Sequence, residues 1–205
     1  MLNFVTNLGS GFLLPVICSI ILLLFSDKRI RKDIGLIISA FLFSIGGDWM
    51  LSHRQGLSIR FVGGIALFFF AHLGYLTFCL RNGKINQRFL GIVLTGYFLF
   101  FFIFLRHGIS DTILLVAVFV YMIVSCFSLA AAFGLALSTV SAWLFFAGIA
   151  SLVFSDTIIA CREFLGQHRY TFLIRPTYNA SQILITVALL SINKYSLLSK
   201  TRRWF

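Results

Sequence analysis

The stretch "FSIGGDWMLS", residues 43–52, decides the fold. Its aspartate, Asp48, is the one charged residue in the run 34–51. A bilayer core about 30 Å thick takes about 20 apolar residues to cross as a helix, so this run reads as a membrane span with a carboxyl inside it. Comparable runs recur outward in both directions, near 4–25, 61–80, 89–105, 113–133, 139–160 and 177–192. With 34–51 they make seven expected helices, and the fold class is an all-α polytopic transmembrane bundle. The composition agrees: 60% of the 205 residues are hydrophobic and 11% charged, against about 25% charged in soluble domains. The connections are too short to hold a further folded unit, so residues 1–205 are expected to form one transmembrane helical domain.

A net charge of +11 raises the possibility of nucleic acid. The 17 Lys and Arg are spread through the connections, with no compact basic domain, and nucleic acid is not an expected partner. Topology explains the charge better. Alternate connections carry eleven Lys and Arg on one side and six on the other, so the positive-inside rule puts the amino terminus out and the carboxyl terminus in the cytoplasm. The expected location is multi-pass in a membrane, the plasma membrane if the source is bacterial. "MLNFVTNLGSG" at the start has no Lys or Arg, unlike the basic opening of a cleavable signal peptide, so the first run reads as a retained helix. Cys18, Cys79, Cys126 and Cys161 show no metal or disulfide spacing and read as packing residues. No metal-ligand set is visible, and no cofactor is expected.

The acids are few and unevenly placed. Asp27, Asp33, Asp111 and Glu163 lie in connections, where solvated structural roles are the default. Asp48 and Asp156 lie within spans, three and four residues before the expected ends. A carboxylate near lipid costs a few kcal/mol, so such groups face the protein interior and mark functional sites. Both aspartates are at the carboxyl ends of even-numbered spans, the second and sixth, hence at one face of the membrane. The third span returns from that face with His72 and Tyr75, three residues apart and neighbours on one helical side. The seventh starts there with Tyr178, Asn179 and Gln182. Intramembrane His, Asn and Gln also serve as interhelical hydrogen-bonding glue, and that reading stands beside the functional one for His72 and above it for Asn179. Gly46, Gly47, Gly63 and Gly64 suffice as close-packing residues. Arg54, Arg60, Arg162, Arg169 and Arg175, with His53 and His168, lie in connections at the same face, either as interfacial charges or as partners for a phosphate.

The blocks "FSIGGDWML", "GGIALFFFAHLGYLTF", "VFSDTIIACREF" and "PTYNASQILI", in this order and spacing, resemble the YhhN-like lysoplasmalogenase family of membrane hydrolases. Residues 43–80 and 152–190 carry the resemblance, whereas 89–138 match only in hydropathy. The resemblance implies hydrolysis of the vinyl ether of a lysophospholipid, giving a fatty aldehyde and a glycerophospho-base, with a lysophospholipid and the bilayer as partners. The candidate catalytic groups are Asp48, Asp156 and His72, and the candidate substrate-binding or orienting groups are Tyr75, Tyr178, Asn179 and Gln182; Asn179 stands where many members of the family carry an aromatic residue, which leaves its role open. The chemistry suits two carboxyls: one protonates the outer alkene carbon, and the other deprotonates the water that captures the oxocarbenium ion, as in glycosidases. Which aspartate is which, the preferred headgroup and the oligomeric state stay open at this level. A proton-coupled transporter would also use buried aspartates, but no convincing internal repeat is present. An intramembrane aspartyl protease would need a glycine where Ile45 stands. The expected site is a cavity between spans two, three, six and seven, with both carboxyls facing it and an apolar groove beyond.

Overall fold

The computed structural model describes residues 9–25, 31–53, 58–135 and 139–201. Within them the chain forms seven α-helices and no strand: α1 Gly9–Phe25, α2 Arg31–Ser52, α3 Ser58–Asn82, α4 Gln87–Phe100, α5 Thr112–Phe133, α6 Thr139–Leu165 and α7 Ile174–Thr201. α4 runs on through a π-helical turn, Phe101–Leu105, and a 3-10 turn, Arg106–Gly108. A further 3-10 turn, Thr171–Leu173, leads into α7. The stretches Asp33–Ser52, Ile59–Asn82, Gln87–Gly108, Thr112–Phe133 and Val140–Leu165 are long and apolar enough to cross a bilayer. The protein is therefore a multi-pass helical membrane protein. The apolar part described for α1, Leu13–Phe25, is shorter, and the second half of α7 carries Asn193, Lys194 and Lys200.

The helix ends follow local chemistry. Asn86 caps α4 by accepting from the Phe89 amide at 3.0 Å, and Asp111 caps α5 by accepting from the Ile113 amide at 2.8 Å. Each satisfies a donor that a helix start leaves open. Pro176 falls in the first turn of α7, where the missing amide costs nothing. Gly166, at φ 64°, ends α6 with a left-handed residue that favours glycine. The last helical residue, Leu165, lies five residues beyond the expected end at 160, because Cys161, Arg162 and Glu163 continue the helix with Arg162 turned onto Glu163 at 2.8 Å.

α2 packs along α3, α6 along α7, and α3 also against α5, while α1 lies on α2 and α7. The α2–α3 contact is close because glycines line it. A Cβ at Gly47 would meet the Phe68 ring at 2.8 Å, and one at Gly64 would meet Leu51 at 2.8 Å, so small residues let these backbones approach. The core runs through Ile37, Phe41, Tyr75, Phe78, Phe145, Ile149, Leu152 and Ile185, all buried. By contrast α4 presents Ile92, Leu99, Phe102 and Phe104 outward, as suits a lipid-facing helix. At one end of the bundle the 83–86 connection pairs with the end of α5, Lys84 donating to the Gly134 carbonyl at 3.2 Å, and Arg81 meets Asp33 at 3.3 Å. The opposite end gathers Phe61 and Phe164, with ring centroids 5.9 Å apart. Asp27 and Arg54 lie outside the described residues.

Candidate active site

The two aspartates stand in different surroundings. Asp156 on α6 is held from two sides: the Tyr121 hydroxyl donates to Oδ2 at 2.5 Å, and His72 Nε2 lies 3.4 Å from the same oxygen. Tyr121 comes from α5 and His72 from α3, so three helices meet at one carboxyl oxygen. The Tyr121 and His72 rings touch edge to face, with centroids 5.4 Å apart, which fixes both side chains beside that oxygen. At the next residue, Thr157 shares a 2.8 Å hydrogen bond with Tyr97 of α4, tethering that helix beside Asp156. His72 is fully buried and the Asp156 side chain is 12% exposed.

That remaining exposure opens into a cavity. Leu51, Phe61, Ile65, Phe68, Val118, Ile159, Ala160 and Phe164 line it, with Tyr121 and Asp156 as its polar wall. Its free volume is about 60 Å³, enough for a few methylene groups or waters. The surroundings suit an alkyl chain whose polar end rests against Asp156.

Asp48 lies at a second corner, partly buried on α2, with the Tyr178 hydroxyl of α7 facing its carboxyl. Asp156 and the Arg175 guanidinium are close enough for their charges to act on it. Below it is a group of buried polar side chains: Ser44 one turn down α2, Tyr75 of α3, and Tyr178 and Gln182 of α7. Ser44 and Gln182 are the polar neighbours of the Tyr75 hydroxyl. None of these groups closes a hydrogen bond among the described residues, and neither does His72 Nδ1. The His72 and Tyr75 rings, with centroids 6.0 Å apart, join the two corners.

The structure therefore brings Asp48, Asp156, His72, Tyr75, Tyr178 and Gln182 into one connected region. Asn179 is one residue past Tyr178, about 100° round the helix, and makes no hydrogen bond to either aspartate among the described residues. Two geometric expectations are corrected. Asp156 lies nine residues before the end of α6 at Leu165, not four, because the helix continues past the hydrophobic run; Asp48 is four residues from the end of α2 at Ser52. The helix dipole acts within the last turn, so it reaches Asp48 and not Asp156. The cavity against Asp156 lies between α2, α3, α5 and α6, with no side chain from α7 and without Asp48 in its wall.

Tyr121 escaped the sequence reading because its span carries no charged residue. A signal was there: Tyr121 is nine residues into α5 from Thr112, and Asp156 nine residues from the matching end of α6, which places both at one depth. Ser44 was legible as the residue one turn from Asp48 on the same face. Of the five arginines at this face, Arg60 donates to the His53 carbonyl, Arg162 pairs with Glu163, and Arg169 lies 5.6 Å over the Tyr170 ring. Cys18, Cys79, Cys126 and Cys161 are free thiols.

No curated protein and no solved structure matches the chain. The sequence model of the YhhN family matches residues 12–189, which spans the helices that carry both aspartates, His72, Tyr121 and the Tyr178–Gln182 pair, and on that match the chain belongs to the YhhN family.

Proposed function

We propose that the protein is a lysoplasmalogenase, a membrane hydrolase that cleaves the vinyl ether of alkenyl lysophospholipids to a fatty aldehyde and a glycerophospho-base. The observation that carries this reading is Asp156, a carboxyl braced by Tyr121 and His72 in the wall of an otherwise apolar cavity, with a second carboxyl, Asp48, nearby. An alkyl chain suits such a cavity, and the first unsaturated carbons of a vinyl ether then lie against Asp156.

In this scheme Asp156 is the general acid. Tyr121 and His72 occupy Oδ2, which leaves Oδ1 to carry the proton to the outer alkene carbon. Proton transfer converts the C=C–O unit to an oxocarbenium ion, and the two hydrogen bonds hold the carboxylate that forms, a stabilisation made at the moment charge develops. Asp48 is the base: it takes a proton from a water that adds to the oxocarbenium carbon. The resulting hemiacetal collapses, its hydroxyl proton passing to the ether oxygen, and releases aldehyde and alcohol. One water is consumed in total. Tyr178 orients Asp48, and Arg175, at the outer end of the same corner, suits the lipid phosphate.

Purified protein incubated with alkenyl, alkyl and acyl lysolipids, with aldehyde read by mass spectrometry, tests this function. Aldehyde from the alkenyl lipid alone supports it. No aldehyde from any of them, together with vesicle uptake driven by a pH gradient, would overturn it in favour of transport.

A further inference from the structure

The buried group below Asp48 has a property that the scheme above does not use. Ser44, Tyr75 and Gln182 are fully buried and Tyr178 nearly so, yet Ser44 Oγ, Tyr75 OH, Tyr178 OH and both polar atoms of the Gln182 amide lack a hydrogen bond among the described residues. Buried polar groups are almost always bonded to protein or to water. The backbone offers little relief here. Ser181 already donates to the Tyr178 carbonyl at 2.7 Å and Thr186 to the Gln182 carbonyl at 2.8 Å. Ser44, like Ser128 of α5, differs from most helix hydroxyls described here. Ser19, Ser39, Thr77, Ser125, Thr157 and Ser191 all donate to a carbonyl three or four residues back; Ser44 does not.

We propose that Ser44, Tyr75, Tyr178 and Gln182 form a buried water-binding site that supplies the water consumed at the aspartates. The donor and acceptor inventory fits water. Hydroxyls give and take hydrogen bonds, and the amide has two donors and one acceptor, so no net charge is called for. A buried water makes about three hydrogen bonds; with Tyr178 OH turned to Asp48, the other four unpartnered atoms and His72 Nδ1 at the border are enough for about one water. The site reaches Asp48 through Tyr178 and the Asp156 corner through the Tyr75–His72 contact. None of its four side chains lines the apolar cavity. The alkenyl chain and the water are therefore held by different residues, so the chain does not have to leave for water to enter. The water binding stands on the geometry alone; the supply to the reaction rests on the hydrolase reading.

Radiolytic hydroxyl footprinting of the purified protein separates the two, because side chains beside bound water are oxidised even when solvent cannot reach them. After correction for intrinsic reactivity, Tyr75 is expected to label at least about tenfold faster than Phe145, an equally buried ring in the apolar core. The double variant Ser44→Ala, Gln182→Leu is expected to lose that labelling and to lower kcat about tenfold with KM little changed; Ser44→Ala alone carries this arm if the double variant does not fold. Tyr75 as slow as Phe145 overturns the water site. Lost labelling with undiminished kcat overturns its role in supply. Fast labelling of Tyr75 in a protein that hydrolyses no lysolipid supports the water site while the hydrolase reading falls separately.

Discussion

Asp48 and Asp156 share one connected region of the bundle, yet one carboxyl is fastened and the other is not. Asp156 has the Tyr121 hydroxyl and His72 Nε2 on a single oxygen and a wall of aliphatic and phenyl groups in front. Asp48 has one facing hydroxyl, an arginine nearby and a bank of unpartnered polar atoms below. The difference teaches that two like residues become unlike reagents through their neighbours. A carboxyl held against an apolar wall suits delivery of a proton to carbon, whereas one that borders polar side chains suits handling of water.

Neutralising each carboxyl in turn is expected to have the largest effect. Asp156→Asn and Asp48→Asn are each expected to reduce kcat by on the order of a thousandfold or more, since each removes one proton-transfer step. Release of aldehyde in folded protein, verified by its elution in detergent, is the measurement, and full activity in either variant contradicts the scheme. Next in size is Tyr121→Phe, which unfastens Asp156 and leaves Asp48 alone. A hydrogen bond to a charged group contributes about 1.5–3 kcal/mol, so kcat should drop roughly 10- to 150-fold. Tyr178→Phe is the matched change at the other corner; equal losses in both would erase the distinction between a fastened and an unfastened aspartate.

The cavity gives a third test. Ala160→Trp fills the space in front of Asp156 while leaving its hydrogen bonds in place, and should lower kcat/KM for long-chain lysolipid by about tenfold or more, through KM rather than kcat. A rate unchanged by this substitution would remove the chain from the cavity. The smallest effect concerns the frame. Gly47→Val drives a side chain into the Phe68 ring, and overpacking of this kind costs about 1–3 kcal/mol, read as a lower midpoint of thermal unfolding in detergent.

Much of this architecture was legible in the residues. Uncharged runs locate helices because backbone groups in lipid must bond internally, and the seven runs lie within the seven helices to within a few residues, apart from the first, whose opening residues fall outside the described chain. Asp48 and Asp156 stood out because charge is scarce in such runs, and span parity brought them to one end. The end of α6 was not legible, since Arg162 and Glu163 look like a connection and instead continue the helix as a pair. Tyr121 was missed because a tyrosine in an aliphatic span is ordinary by itself; only the neighbouring helix makes it a donor to Asp156. Which helices enclose the cavity depends on packing order, and hydropathy carries no information about that order.

In this mechanism the first proton goes from Asp156 to carbon. Turnover of an alkenyl lysolipid in D2O, with the aldehyde trapped at once as a stable derivative, should place one deuterium on the carbon next to the carbonyl, because Asp156 in exchange with solvent delivers it to the outer alkene carbon. Aldehyde with no deuterium at that carbon, after a control for exchange of the free aldehyde, would contradict protonation at carbon and with it the assignment of Asp156 as the acid.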